Sequence, residues 1–350
     1  MVKGGLGPLL WRWSRETGHA LPLDWQELVQ GADLSAQVVA GNIRDATLEV
    51  VDACRDAGVR VTLLKGVSIG EQHYPAAHLR AMGDVDLLVD ECDGVRVRRM
   101  LQRRGFVRMA GFHERKDYHG APLCLPELGV WVEIHTGLFH EDDPLRRNRL
   151  FSPSHIARQT VASTFGGREV GRFTAELQLV YIASYWMRDS SNYGLQASFV
   201  RPLFDVVYLL AQPRPELDWD GMLEWLDNDL AAASLYVLLS YLAMRDLCSV
   251  PQRILARLAS AQRRVGRVEL RILARLIDRT LLEGRPLLGE FGERHPMIGE
   301  TALRVLLDAR PVAMKFVTLP WAMVFPFWVA ERYTWSYQRE RMRRFLARAQ

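Results

Sequence analysis

The sequence predicts an α+β protein: a region in which short strands alternate with helices, then a longer region that is helical throughout. Three observations carry this. Four short apolar or β-branched runs fall between residues 59 and 135, separated by stretches of helical period. A helical stretch precedes the first of them. Beyond about residue 174 strand signals stop, and apolar residues recur at threes and fours as far as residue 282.

From about residue 24 to 58, Leu28, Val38, Val39, Ile43, Leu48, Val50 and Val51 recur at helical spacing, and Gly58 stands where a helix C-terminal glycine belongs. Val59-Arg60-Val61-Thr62-Leu63-Leu64 then reads as a strand that stops at Lys65-Gly66, followed by a short helix to about Tyr74-Pro75. Val85 to Val89 is a second strand. Gly94 to Arg104 is a basic amphipathic helix ended by Gly105, and Phe106 to Met109 a third strand. Val130 to His135 has the clearest alternation. Gly166-Gly167 and Gly171 read as a hairpin turn, since their spacing is wrong for a dinucleotide fingerprint. Leu177, Val180, Tyr181, Ser184 and Tyr185 share a helical face, and Phe204–Leu210, Trp219–Leu226, Leu230–Leu247 and Ile254–Leu282 continue as a bundle. The chain therefore divides into an N-terminal helical segment over 1–57, a strand-containing domain over 58–173, and a helical domain with its tail over 174–350.

Composition is that of a globular chain: 49% apolar and 25% charged over 350 residues, with a net charge of +4. That excess suits phosphate ligands but is too small to argue for nucleic acid. The cations are nearly all Arg, with lysine only at Lys3, Lys65, Lys116 and Lys315. The cysteines Cys54, Cys92, Cys124 and Cys248 form no C-x-x-C pair, so neither a zinc site nor a disulfide framework is expected. With no apolar run at the N-terminus long enough for a signal peptide, a cytoplasmic location is the expectation.

The chemistry lies in Leu64-Lys65-Gly66, Arg80-Ala81-Met82-Gly83-Asp84-Val85-Asp86-Leu87-Leu88-Val89 and Val132-Glu133-Ile134-His135. Alternate side chains of a strand share a face, so Asp84 and Asp86 project together. Paired carboxylates make a hard oxygen site of the kind Mg²⁺ takes, and Glu133 on another strand can complete it. Three acids side by side repel unless cations neutralise them. Two bound metals would do so, in the arrangement used for phosphoryl transfer. Lys65-Gly66, at a strand-to-helix turn, fits a phosphate cradle, and Arg80 is placed to pair with a triphosphate or to hold the carboxylates. A D-x-D alone often marks a solvated strand end. The Lys-Gly turn before this one, the arginine at minus four and the glutamate strand after it make it specific.

These residues resemble a family of uncharacterised bacterial nucleotidyltransferases within the polymerase-beta-like superfamily. The motif block covers residues 61–139, and a weaker likeness runs through Arg201-Pro202-Leu203-Phe204-Asp205-Val206 and Asp218-Trp219 to about residue 260. The resemblance implies a small mixed β-sheet flanked by helices and followed by a helical domain. It implies Asp84, Asp86 and Glu133 as the metal ligands, two Mg²⁺ ions, and Lys65-Gly66 in place of the superfamily's Gly-Ser phosphate turn. Val67 follows Gly66 where the wider superfamily has serine, with Ser68 one residue on.

The expected reaction is transfer of a nucleoside monophosphate from an NTP to an acceptor hydroxyl, with release of pyrophosphate. A kinase-like phosphotransferase using the same metals, and a non-catalytic nucleotide-binding module, are the rivals. The modest charge favours a small molecule or a protein as acceptor over tRNA. His135 shares a face with Glu133 and can reach the site. His113 and His119 have no partner at ligand spacing, and Glu141-Asp142-Asp143 reads as a solvated loop. Asp205, in an apolar helix, is expected to pack against a basic group. Val312–Ala330, aromatic and interrupted by Lys315, Pro320 and Pro326, is expected to close the helical bundle. A weak contact with a membrane surface is the alternative reading of that tail.

Overall fold

The computed structural model describes residues 4–109, 120–140, 143–146, 149–193, 197–211, 217–226 and 229–284, and Lys315. Helix α1 (Gly7–Thr17) has Pro8 in its first turn and ends at Gly18, whose φ of 70° is left-handed. Helix α2 (Leu23–Asp56) is 34 residues long and stops before Gly58. Its second half buries Ile43, Val50 and Val51. Leu28, Val38 and Val39, which read as part of the same apolar set, are exposed by 53%, 66% and 40%. The contacts of α2 explain this: it packs on α1 as well as on the sheet, and the residues buried against the sheet come from its C-terminal half.

The strands are β1 (Thr62–Leu63), β2 (Asp84–Leu88), β3 (Val107–Arg108), β4 (Leu123–Leu125), β5 (Val130–His135), β6 (Thr160–Phe165) and β7 (Arg168–Phe173). They form one mixed sheet in the order β3-β4-β5-β2-β1-β7-β6. Central β2 runs parallel to β5 and antiparallel to β1, and β1 runs parallel to β7. Helix α3 (Lys65–His73) leaves the end of β1, and α4 (Gly94–Arg103) follows β2. A short α5 (Pro153–Arg158) precedes the β6–β7 hairpin, whose turn is Gly166-Gly167; Gly171 lies within β7.

Alternation decides which way the acids face. Val85 and Leu87 are fully buried in a core with Val132, Ile134, Val97 of α4 and Val50 of α2. Asp84 and Asp86 therefore face away from α2 and α4.

The rest is helical: α6 (Ala175–Tyr193), α7 (Arg201–Leu210), α8 (Trp219–Glu224), α9 (Asp229–Met244), α10 (Gln252–Ala261) and α11 (Arg267–Ile277). The helical stretch from Ile254 to Leu282 is divided between α10 and α11, where the Gln262 side chain bonds the backbone of Arg264 and Val265. Helix α9 packs on α6, α7, α10 and α11, and Leu235, Leu239 and Leu242 lie at the centre of a second core that also takes in Phe139 and Tyr181.

His113, His119, Glu141 and Asp142 lie outside the described residues. Asp143 is not solvated as expected; it is 5% exposed and accepts from the Leu145 amide at 2.9 Å. Of the tail only Lys315 is described, buried with its ammonium 3.4 Å from Glu269. Among the described residues no helix is long and apolar enough to cross a membrane.

Candidate active site

Parallel pairing of β2 with β5 sets Asp86 opposite Glu133, Asp84 opposite Trp131 and Leu88 opposite His135. Neighbours in register share a face, so two carboxylates and an imidazole from two strands meet on one side of the sheet. Ligand atoms of Asp86, Glu133 and His135 lie within 4.8 Å of one another. Asp84 is on the same face but outside that group of three.

Asp86 is the hub. It is 3% exposed, and its Oδ1 accepts from Lys65 Nζ at 2.6 Å and from His135 Nε2 at 2.7 Å. Burial alone would raise its pKa, but Lys65 and His135 outweigh burial and hold the carboxyl well below its usual range. At Asp84 the pull of Lys65 and Arg80 is the weaker influence. Burial first, and then the charge of Asp86, push it up to about 6. Glu133, with His135 Nε2 3.6 Å from its Oε2, is raised for the same two reasons. One acid is thus neutralised by protein cations, while its neighbours hold their protons more tightly than usual.

The turn before α3 explains the lysine. Lys65 has a φ of 41°, a left-handed conformation that costs an L-residue energy and recurs at functional sites. Its ammonium reaches Asp86. Burial opposes that charge, but Asp86 outweighs it and raises the Lys65 pKa well above normal. Gly66 suits the place because the space beside it is filled: a Cβ there would meet Arg80 Nη1 at 2.6 Å and Met82 Cγ at 3.0 Å, and both would have to shift.

Arg80 does not hold the candidate metal-ligating carboxylates. Its Nε and Nη2 donate to Asp205 of α7 at 3.2 and 2.9 Å, and the Tyr74 hydroxyl donates to the same carboxylate at 2.8 Å. Asp205 thus finds the basic partner expected of it. Ser68 is not brought to the carboxylates either. It is fully buried, its hydroxyl bonded to Gln72 and its carbonyl accepting from Arg172 of β7. The reason is helical geometry: three residues past Lys65, Ser68 lies within α3, not at the turn.

Sequence reasoning missed the contribution of the helical part. Tyr181 and Tyr185 of α6 lie near Lys65 and Arg80 respectively, and Arg201 of α7 donates to the Ala81 carbonyl at 3.0 Å. Arg201 and Asp205 stand four apart on α7, a spacing that places them on one helix face and could have signalled a shared role. Tyr185 read only as one residue of an apolar helical face.

A family model described as uncharacterised nucleotidyltransferase matches residues 1–245. Among solved structures, that of an antigenic nucleotidyltransferase-like protein from Paracoccidioides brasiliensis is similar over 64% of this chain and 94% of that one, at 14% identity and a TM-score of 0.38. A likeness at that level supports no inference about activity. Among curated proteins, none matches the sequence.

Proposed function

The chain belongs to the family of uncharacterised nucleotidyltransferases, whose model spans 245 of its 350 residues, and from that premise we propose that it moves a nucleoside monophosphate from an NTP to an acceptor hydroxyl in a Mg²⁺-dependent reaction. The single observation that supports this reading best is the convergence of Asp86, Glu133 and His135 on one face of the sheet, with Asp84 beside them. Hard carboxylate oxygens suit Mg²⁺, and burial together with the charge of Asp86 raises the pKa of Asp84 and Glu133, a repulsion that a bound cation would relieve. The donor set therefore fits two divalent ions held by Asp84, Asp86 and Glu133.

When bound, such ions supply Lewis acidity, making an acceptor hydroxyl more acidic and neutralising charge on departing pyrophosphate. The protein's own groups do the positioning. His135 bonds Asp86 and orients its carboxylate. Lys65, anchored in its strained turn, offsets the repulsion among the acids. Gly66 leaves the Arg80 guanidinium room beside the N-terminus of α3, where backbone amides favour anions. In the transfer a bond forms between the acceptor oxygen and the α-phosphorus. The α–β bridging bond breaks, pyrophosphate leaves, and the hydroxyl proton passes to solvent. The acceptor in this reading is a small molecule or a protein side chain, consistent with a net charge of +4.

Two NTP analogues test the reaction. One with a non-cleavable α–β bridge should block turnover, whereas one with a non-cleavable β–γ bridge should still react. Label at the α-phosphate should enter the acceptor in step with released pyrophosphate. Label transfer only from the γ-position, with NDP as product, would overturn the reading.

A further inference from the structure

We propose that Arg172 of β7 is a positioning residue for the Lys65-Gly66 turn: gripping the first turn of α3 from the β6–β7 hairpin, it holds Lys65 against Asp86. That the turn then serves an NTP rests on the nucleotidyl-transfer reading above. The grip itself rests on geometry.

Lys65 has to be held from outside. Its φ of 41° is a left-handed conformation that an L-residue keeps only where its surroundings over-determine it. Helix α3 supplies no such restraint at its own start: Leu64 at the N-cap makes no side-chain bond, and the first turn carries no acid. The chain is pinned on either side of the lysine instead. Before it, the Leu64 amide donates at 3.0 Å to the carbonyl of Asp86, the residue whose carboxylate takes the lysine. After it, the carbonyl of Ser68, in the first turn of α3, accepts from Arg172 Nη1 at 3.0 Å.

Arg172 is 1% exposed. Its second terminal nitrogen, Nη2, donates to the Thr164 carbonyl of β6 at 3.1 Å and to the carboxylate of Glu71, three residues beyond Ser68 on α3. One planar guanidinium therefore ties two points of α3 to the hairpin and fixes direction as well as distance. A buried ion pair adds little stability over an apolar side chain of similar size, so register between two elements is the better account of this one. The neighbouring residue points the same way. Gly171 is set opposite Thr62 of β1, and its amide donates to the Val61 carbonyl at 2.8 Å. The backbone of Gly171 thus holds the strand that enters the turn, and the side chain of Arg172 holds the helix that leaves it. Lys65 lies between these two anchors, and both belong to β7.

The test uses the full chain. Arg172→Gln should quicken hydrogen exchange over residues 64–72 by about tenfold or more while β2 and β5 keep their rates, as a local opening leaves the rest of the sheet closed. Arg172→Lys, which keeps the charge but not the fork, should act in the same direction and stands in if Arg172→Gln does not fold. In Mg·NTP turnover, Arg172→Gln should lower kcat/KM about tenfold. In a Lys65→Gln background the same substitution should cost less than about twofold, because the group it positions is already gone. A merely structural role would give equal losses in the two backgrounds. Equal losses, or exchange over 64–72 that quickens no more than that of β2 and β5, would overturn the proposal. Local quickening in a protein that transfers no nucleotide from any NTP would keep Arg172 as the holder of the turn and remove the reaction assigned above.

Discussion

Arg80 and Asp205, 125 residues apart in the chain, form a two-pronged pair in which Nε and Nη2 donate to the two carboxylate oxygens at 3.2 and 2.9 Å. The pair is buried, Asp205 completely, and it ties the strand-bearing part of the chain to α7. Removing one partner of such a pair leaves a buried charge uncompensated, at a cost of about 3–5 kcal/mol. Asp205→Ala and Arg80→Ala should each lose about that much in urea unfolding. The double variant should lose clearly less than their sum, and strict additivity would show that the two groups are not coupled.

Asp86→Asn should leave a folded protein with turnover reduced by more than about a hundredfold, because Asp86 is the hub between Lys65, Glu133 and His135. His135→Asn should cost less, about tenfold, if the imidazole orients Asp86 without touching substrate. Calorimetry with Mg·NTP checks both. Equal affinity in wild type and Asp86→Asn would remove Asp86 from the site.

Asp84 makes the stability of the metal-free protein depend on pH. Its folded-state pKa of about 6 lies above the ordinary value of 3.8, so the folded state holds this proton more tightly than the unfolded chain does. Its contribution is most favourable below pH 3.8 and is lost as pH rises to about 6. In chelator, Asp84→Asn should therefore be more stable than wild type at pH 7, by up to about 3 kcal/mol, and the gap should shrink towards pH 4. Adding Mg²⁺ should stabilise wild type more than Asp84→Asn. A gap that does not vary with pH would contradict this account.

Gly66→Ala places a methyl group 2.6 Å from Arg80 Nη1 and 3.0 Å from Met82 Cγ. Arg80 is held by Asp205 and Met82 Cγ lies within its side chain, so both must shift, and the fold should survive with a loss of about 1–3 kcal/mol. The displaced guanidinium should raise KM for the NTP several-fold. A variant with wild-type KM would show that this close approach is irrelevant to the substrate.

How much of this was legible in the sequence depends on how far each feature reaches along the chain. Strand period placed Asp84 and Asp86 on the face opposite Val85 and Leu87, and helix-ending Gly58 and Gly105 marked the ends of α2 and α4. These are local properties, decided by alternation and by glycine's access to left-handed φ. Strand β4 is not legible in the same way, and of β6 and β7 only the hairpin turn at Gly166-Gly167 is. β4 is three residues long, and β6 has exposed or half-buried residues at all but its last position. Such segments carry little apolar signal, and each becomes a strand because a neighbour supplies its ladder of hydrogen bonds.

The sequence by itself singled out the candidate groups, the acids of β2 and β5 and the Lys65-Gly66 turn, and the family to which the chain belongs. Only the tertiary structure decided how they are partnered. It set Asp86 opposite Glu133 through parallel pairing of β2 with β5, gave one Asp86 oxygen to both Lys65 and His135, and sent Arg80 to Asp205. The physical reason is that side-chain direction follows from local backbone geometry. Pairing, burial and charge compensation depend on which distant segment arrives to cover the same face, and no local pattern encodes that.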